Sequence, residues 1–559
     1  MDMLEVEGAK KENAKVEAGI PLVLELSEHD TLFEKKKKLL ENVGFSPNKP
    51  VWLKSSFSHR HLKCVLDLLL QEARIICSNE VELYFSELDA ATHPLGFSSS
   101  RNELEALHFI ISVIDKVQTT GQHIMVRILE DLRDSTVKMI HEVGSGVADS
   151  TKIVPESICE KEKNLLQWGE RNGVRRKIDI TYVEGAGRGA IATEGLNIND
   201  IVLEIPISIV ISEELVRYSD MLPILEKIDG LSPETMLLLW SMKEKHDQNS
   251  KHKLYFDTLP QSFDTGLSFG VEAVMALDGT LLLEEIIQAK EHLRTQYDKL
   301  FPALCINHPD IFHPEMYTWE HFLWACELWY TNSMKIMFKD GHLRTCLVPI
   351  AGFLNHSTCP HILHYSKVDS ATNTLKFRLS RPCSAGDQIF LSYGKLSSSH
   401  LLTFYGFLPQ GDNPYDIIPL DIEVAQDEGY ENGDPFSSWS THMLRGTWLS
   451  KTHGIYHYGL PYPLLAYLRQ IRGVILTRNA LTQENLEVDL ETLADLSSTF
   501  ESMMEALGES TLDDRETVSW DVKLALDFKS LHKKIIASIL ASCAAGCELI
   551  QNELQNLTT

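Results

Sequence analysis

The segment LVPIAGFLNHS, residues 347–357, decides how the middle of this chain is interpreted. An apolar run typical of a strand ends abruptly in Asn355 and His356, two polar side chains that need hydrogen-bond partners when they are buried. The pair is either a structural polar cluster or the part of a site that binds a planar, polar ligand. A lone Asn-His pair is more often structural, so its meaning depends on the other motifs.

The segment EGAGRG, residues 184–189, follows a predicted strand. Its alternate glycines allow the backbone to approach a ligand closely, and a tight turn between two strands is the alternative. A Walker loop is excluded because no Lys-Ser/Thr follows, and a Rossmann loop is excluded because the G-x-G-x-x-G spacing is missing.

The segment GDQIFLSYG, residues 386–394, ends a predicted strand at Tyr393, and YGF follows at 405–407 after a predicted helix. A tyrosine that closes an alternating strand is usually half-buried packing. Its hydroxyl can also serve as a fixed donor or acceptor in a narrow site.

The pattern around these motifs predicts an α+β fold. Short β-branched runs between about 160 and 410 predict strands, interrupted by a helical insert at about 213–340. Residues 1–150 and 411–550 have the three- and four-residue apolar spacing of amphipathic helices. Within the insert, Ser232 and Pro233 predict the start of a helix over PETMLLLWSMKEKH, and further helical patterns cover 283–300 and 319–337.

Composition narrows the classes of partner and location. The 559 residues are 43% hydrophobic and 23% charged, as in a soluble globular protein of two to four domains. The net charge of −27 disfavours nucleic acid and favours a basic protein or peptide partner. No run of about 18 uncharged apolar residues is present, so no membrane partner is expected. The first twenty residues lack an apolar h-region, which favours the cytoplasm, with the nucleus as the alternative.

The ten cysteines form no Cys-x-x-Cys pair, so reduced thiols and no metal site are expected. The sequence leaves the oligomeric state open.

In this order, the motifs resemble the SET-domain protein methyltransferases, in the branch that includes the Rubisco large-subunit methyltransferase and the actin-histidine methyltransferase. The matching pattern is E-G-x-G-x-G, N-H-S, G-x-Q with a following Y-G, and Y-G-F. The resemblance covers about 160–540. It implies a SET domain of short β-strands at 160–410 with a helical insert, a helical substrate-binding domain of the Rubisco-methyltransferase type at 411–550, and a helical N-terminal extension at 1–150.

The resemblance also implies S-adenosylmethionine as the cofactor and a protein as the substrate. It makes Tyr393 the active-site tyrosine, at the inner end of the channel that the substrate side chain enters. The implied cofactor-binding residues are Glu184, Gly185, Ala186, Asn332, Leu354, Asn355, His356, Tyr405, Gly406 and Phe407. Lysine is the predicted methyl acceptor and histidine the alternative; a SET-fold binding module with weak or no activity is the competing hypothesis.

This sequence departs from the family's pattern at three positions. The family usually has an arginine about 20 residues before Asn-His, in contact with the methionine carboxylate, and Asn332 aligns with it here. Lys335 is predicted to lie on the same helix face and to supply the missing charge. Gly352 replaces a common acidic residue, and Ser398 replaces an asparagine that usually follows the active-site tyrosine.

Overall fold

The computed structural model describes the chain in twelve stretches: 19–54, 57–86, 99–118, 123–145, 151–154, 160–420, 439, 441–445, 458, 460–472, 482–508 and 518–558. The chain divides into two compact units. The first unit comprises Met1–Ser78 and Asn102–Gly146, and the second comprises Asn79–Arg101 and Val147–Thr559. Residues 79–101 thus belong to the second unit, although composition groups them with the helical N-terminal region. The predicted limits of 1–150, 160–410 and 411–550 stay predictions.

The first unit is helical, as its periodicity predicts, and it also contains a two-stranded sheet. Strands β1 (Ile20–Leu22) and β2 (Val51–Leu53) pair antiparallel. The helices are α1 (Phe33–Asn42), α2 (His59–Cys77), most of α4 (Ser100–Gln118) and α5 (His123–Ser145). The two strands of this sheet are three residues long, too short to show an alternating pattern in the sequence.

The strands of the second unit form a small sheet and separate hairpins. The sheet has the order β3-β6-β10-β9 and is antiparallel throughout. Its strands are β3 (Arg175–Arg176), β6 (Ile201–Pro206), β9 (Val368–Asp369) and β10 (Thr374–Arg378). The hairpins are β4 (Ile178–Val183) with β5 (Gly187–Ala192) and β7 (Ser333–Met337) with β8 (Leu343–Leu347). A further antiparallel pair is β11 (Ile418–Leu420) with β12 (His442–Leu444).

Helices surround these strands. Helix α3 (Glu80–Ser86) and α6 (Glu160–Arg171) precede the sheet, and α13 (Ser398–Tyr405) follows it. The insert contains α7 (Leu222–Leu225), α8 (Pro233–His246), α9 (Lys253–Thr258), α10 (Val271–Ala276), α11 (Leu281–Asn307) and α12 (Trp319–Asn332). The hydroxyl of Ser232 accepts a hydrogen bond from the backbone N–H of Thr235, so Ser232 is the N-cap, as predicted.

The C-terminal helices are α14 (Tyr462–Ile471), α15 (Gln483–Ala506) and α16 (Trp520–Thr558). Within the described part of the chain, α16 is long and apolar enough to cross a membrane by length and composition alone, which is weak evidence. Its residues Ala525 and Phe528 pack in one cluster with Ala273 of α10 and Leu402 of α13. The helix therefore contributes to a core shared with the insert.

The mixed helix and strand architecture and the helical insert confirm the predicted fold class. Two local predictions are wrong. The helix predicted over 319–337 ends at Asn332, because residues 333–337 pair as β7 with β8. The strand predicted at DQIFLSY is an extended segment with single bridges at Gln388 and Leu391.

A buried ion pair joins two of the C-terminal helices. The Arg469 guanidinium on α14 donates to both carboxylate oxygens of Asp489 on α15, at 2.8 and 2.6 Å, and the side chains are 8% and 3% exposed. The hydroxyl of Tyr458 donates to the same carboxylate at 2.8 Å. Arg472, three residues further along, pairs instead with Glu491 and Asp495 on the surface.

We expect Arg469→Met to lower the free energy of unfolding by about 3–5 kcal/mol, because it leaves the Asp489 carboxylate buried without its cation. The matched change Arg472→Met should cost at most about 1 kcal/mol, since solvent screens its ion pairs. Urea denaturation measures both. Equal losses in the two variants would contradict the prediction.

Candidate active site

Two segments that are far apart in the sequence join at the centre of the site, 354–356 and 391–393. The backbone N–H of Leu391 donates to the carbonyl of Asn355 at 2.7 Å. The N–H of Tyr393 donates to Nδ1 of His356 at 3.2 Å, and the Tyr393 hydroxyl donates to the carbonyl of Leu354 at 3.0 Å. The Asn-His motif and the tyrosine motif therefore form one structural element.

An aromatic stack surrounds the Tyr393 ring. His356 lies on one side with a ring-centre distance of 5.2 Å, and Tyr405 is stacked at 5.0 Å. Phe407 contacts the His356 ring at 6.4 Å. Burial, followed by the nearby Tyr405 and Tyr365 hydroxyls, raises the pKa of Tyr393 well above its ordinary value. The hydroxyl is thus protonated at neutral pH and is a fixed dipole.

The charge state of His356 is set by the same packing. Burial lowers its pKa to about 4, against a hydrogen bond with the Leu391 backbone that acts in the opposite direction. Because Nδ1 accepts the Tyr393 N–H, the ring is neutral with its proton on Nε2. His356 is accordingly an uncharged partner of the tyrosine at neutral pH.

Residues 184–186 of the EGAGRG segment form a tight turn between β4 and β5, and its last three residues begin β5. Gly185 and Gly187 have φ of 77° and 68°, and a Cβ on either would meet nothing within 4 Å. Gly189 differs, since a Cβ there would lie 2.5 Å from Oε1 of Gln388 and 3.1 Å from Nδ2 of Asn355. Two of the glycines thus border open space, and the third allows a close contact inside the site.

The Asn355 amide has its donors directed into the protein. Nδ2 donates to the carbonyl of Arg188 at 3.0 Å and to Oε1 of Gln388 at 2.7 Å. This joins the β4–β5 hairpin to the Asn-His segment, as the structural interpretation of the motif requires. Gln388 is a site residue that the sequence analysis did not single out, although it belongs to the quoted GDQIFLSYG segment.

The Gly406 position also has a steric explanation. Gly406 ends α13 with a φ of 75°, and a Cβ there would lie 1.7 Å from the carbonyl oxygen of Asp264. Only glycine fits this close approach of two backbones. The turn brings Tyr405 and Phe407 to the Tyr393 and His356 rings.

The turn residues Glu184, Gly185 and Ala186 are exposed, whereas Tyr405 and Phe407 lie against the rings of this aromatic cluster. Glu184 forms a surface ion pair with Lys152 at 3.2 Å. The structure therefore brings the Asn-His, tyrosine and Y-G-F motifs into direct contact. The EGAGRG segment is joined to the Asn-His motif through Gly189.

The prediction for Lys335 is wrong. Helix α12 ends at Asn332, so Lys335 lies on β7, is exposed, and donates to Thr345 at 2.6 Å. The Asn332 side chain instead lies next to Gly352, the second position at which this sequence departs from the family's pattern. A Cβ on Gly352 would lie 2.8 Å from Oδ1 of Asn332. The amide and the glycine thus occupy facing positions.

Ser398, the third departure, has a structural role. Its backbone N–H and hydroxyl both donate to the Asp416 carboxylate, at 2.6 and 2.7 Å, and the side chain is 1% exposed. This fixes the start of α13.

Residues 187–394 match the family model described as SET domain. The chain is 25% identical over 341 residues to the chloroplastic fructose-bisphosphate aldolase-lysine N-methyltransferase of Arabidopsis thaliana, covering 58% of this chain and 66% of that protein. It is 25% identical over 332 residues to the chloroplastic Rubisco large subunit N-methyltransferase of Pisum sativum, covering 56% and 64%. It is 23% identical over 274 residues to the actin-histidine N-methyltransferase of Rhinolophus ferrumequinum, covering 47% and 45%.

Solved structures support the same fold. The SET domain of LSMT, in a crystal structure with lysine and AdoHcy, matches with a TM-score of 0.51 at 19% identity, covering 72% of this chain and 93% of that one. The chain contains a SET domain, as the motifs predicted. It is similar, over about half of its length, to protein methyltransferases of the predicted branch, and it spans less than two thirds of the length of these curated relatives.

We expect Gly189→Ala to lower the free energy of unfolding by about 1–3 kcal/mol, because the new methyl group meets the Asn355 and Gln388 amides. Gly195→Ala is the control, since its Cβ would meet nothing within 4 Å and its φ is not positive. That variant should stay within about 0.5 kcal/mol of the wild type. Urea denaturation distinguishes them, and a Gly189→Ala protein of wild-type stability would refute the packing argument.

The neutral state of His356 predicts a pH dependence. The folded pKa of about 4 lies below the ordinary 6.5, so the unfolded chain takes up the proton first as the pH falls. The stabilising contribution of the neutral ring is therefore present above pH 6.5 and is lost as the pH falls toward 4. The free energy of unfolding should be higher for the wild type than for His356→Gln at pH 7. At pH 5 this difference should be smaller by about 2 kcal/mol.

Denaturation at several pH values measures this change. His342→Gln, a change of an exposed histidine, should leave the pH dependence much closer to that of the wild type. A difference between wild type and His356→Gln that is constant from pH 7 to 5 would contradict the prediction.

Proposed function

We propose that this protein transfers a methyl group from S-adenosylmethionine to a side-chain nitrogen of a protein, with lysine as the acceptor. The observation that carries the proposal is the junction of 354–356 with Tyr393, Tyr405 and Phe407. It combines a fixed tyrosine hydroxyl, a neutral histidine and stacked rings in a SET domain. The curated relatives, which are protein methyltransferases, support it.

The residues present fit the cofactor. The open space beside Gly185 and Gly187 leaves room for a ligand against the backbone of the turn, so we assign 184–186 to it. The Asn355 donors are used within the protein, so Leu354, Asn355 and His356 would contact the cofactor with other groups, the backbone among them. The Phe407 ring, with Tyr405 and the Gly406 backbone, would pack around the adenine.

The bound cofactor supplies an electrophilic methyl group on a sulfonium. The chain's own part is to align the acceptor nitrogen with that methyl group, which can provide much of the acceleration. The Tyr393 oxygen and the Leu354 carbonyl are joined at 3.0 Å and act as fixed dipoles near the reacting atoms. Aromatic walls lower the pKa of an incoming lysine by desolvation and favour its neutral, nucleophilic form.

The choice of lysine rests on the relatives. The two with the higher coverage of this chain are named for lysine, and the third is named for the histidine of actin. We keep the cytoplasm as the proposed location, with the nucleus as the alternative, and note that two of these relatives are named as chloroplastic. The proposed substrate is a protein, without a role for nucleic acid or membrane.

One observation favours the competing function of a binding module with weak or no activity. Asn332 faces Gly352, and Lys335 donates to Thr345. Neither residue therefore places a cation where the family pattern has its arginine. A charge-assisted hydrogen bond contributes about 1.5–3 kcal/mol, which is roughly 10- to 150-fold in affinity. Cofactor affinity therefore separates the two functions.

We expect calorimetric titration with S-adenosylmethionine to show micromolar binding that Phe407→Ala abolishes. Phe45→Ala removes a similar ring in the first unit and should bind as the wild type does. Tyr393→Phe should still bind the cofactor but lose most methyl transfer, because the hydroxyl that holds the Leu354 carbonyl is gone. A folded wild-type protein that does not bind millimolar cofactor would reject the enzyme in favour of the binding module.

The acceptor is tested separately. Protein extracts incubated with the enzyme and a methyl-labelled cofactor should yield labelled methyllysine after acid hydrolysis. Labelled methylhistidine instead would retain the methyltransferase and overturn the choice of lysine.

A further inference from the structure

Residues that precede the SET match at 187–394 contact the active-site tyrosine segment from two sides. Helix α3 (Glu80–Ser86) is almost entirely buried in the second unit, where Leu83, Tyr84 and Phe85 are at most 2% exposed. Arg101 lies in the first turn of α4 and belongs to the same unit. This part of the chain is thus built into the unit that contains Tyr393.

The Glu82 carboxylate is the main polar contact of α3. It is 1% exposed and accepts hydrogen bonds from the Ser99 hydroxyl at 2.5 Å and the Tyr415 hydroxyl at 3.1 Å. The Asn79 backbone N–H donates to its other oxygen at 2.9 Å. The Lys395 ammonium lies 3.3 Å from that same oxygen, Oε2. A buried carboxylate therefore anchors the residue that stands two positions after Tyr393.

Arg101 binds the residue that precedes Tyr393. Its Nε donates to the Ser392 hydroxyl at 3.1 Å, immediately before Tyr393. The carbonyl of Ser392 accepts the Tyr365 hydroxyl at 3.3 Å. The two residues that flank Tyr393-Gly394 are consequently fixed by groups from outside the segment.

The segment needs such anchors because little regular structure fixes it. Between the bridge at Leu391 and the start of α13 at Ser398, the backbone forms neither strand nor helix. Gly394 has a φ of 138°, a conformation that is open to glycine and gives the backbone unusual freedom. Side-chain contacts to Ser392 and Lys395 therefore restrict where the Tyr393 hydroxyl can lie.

We propose that Glu82 and Arg101 are positioning residues for Tyr393, so that the segment 79–101 is part of the catalytic unit. This inference rests on the proposed methyl transfer. Misplacing a reacting group by about 1 Å can cost roughly 100-fold in rate, even when the changed residue does not touch substrate. We expect the main effect on Tyr393, because the contacts of Glu82 and Arg101 described above go to the residues that flank it.

The test uses the full chain with the variants Glu82→Gln and Arg101→Met. Glu82→Gln keeps the size of the side chain, removes the charge opposite Lys395 and replaces one of the two acceptor oxygens with a donor amide. We expect kcat to fall about 10- to 100-fold, with the Kd for S-adenosylmethionine within about twofold of the wild type. Amide hydrogen exchange in the peptide that contains Tyr393 should accelerate in both variants.

The control is Glu103→Gln, which breaks an Arg74–Glu103 ion pair of 2.6 Å in the first unit. It should change neither kcat nor the exchange of the Tyr393 peptide. If Glu82→Gln does not fold, Arg101→Met is the deciding variant, because Arg101 is half-exposed.

Wild-type kcat, or unchanged exchange of the Tyr393 peptide, in the folded variants would overturn the positioning role. If the wild type methylates no protein, the proposed function fails instead. The exchange measurement then decides alone whether Glu82 and Arg101 hold the segment.

Discussion

The candidate active site depends on the hydrogen bonds that join residues 354–356 to residues 391–393. One joins the backbones of Leu391 and Asn355, and one joins the Tyr393 N–H to the His356 ring. The third joins the Tyr393 hydroxyl to the Leu354 carbonyl, and all three are between 2.7 and 3.2 Å long. They allow an Asn-His pair and a tyrosine to be buried together without losing hydrogen bonds. The stacking of Tyr405 and the contact of Phe407 with His356 follow from this junction, since both rings pack on its two aromatic members.

The two interpretations of the Asn-His motif prove to be complementary. The Asn355 amide is structural, because its donors join the Arg188 carbonyl to the Gln388 side chain. The glycine turn shows the same division, with Gly189 needed for packing and Gly185 bordering open space. Side-chain contacts and a close glycine thus hold the backbone of the candidate site in place.

Local chemistry determined which predictions succeeded. The Ser232 cap and the helix over 233–246 were predictable, because capping and periodicity depend on neighbouring residues. The end of α12 was not, since Lys335 pairs with Thr345 across a hairpin and this overrides the helical pattern. The strand predicted at 387–393 failed because its partners form single bridges and no ladder.

The motifs identified Tyr393, His356 and Phe407 as parts of one site, although no spacing in the sequence shows that they touch. The sequence could not identify Glu82 as a residue of this site, for a different reason. Its contact with Tyr415 spans 333 residues, and a lone glutamate in an amphipathic helix has no distinguishing pattern. Tertiary contacts of this kind become visible only when the fold brings the residues together.

The facing positions of Asn332 and Gly352 have a consequence for how this chain could have diverged from its relatives. Because any side chain at 352 would meet the Asn332 amide, an acidic residue could be introduced there only if residue 332 gave way. The effect of a substitution at one position thus depends on the residue at the other, which is epistasis between neighbours.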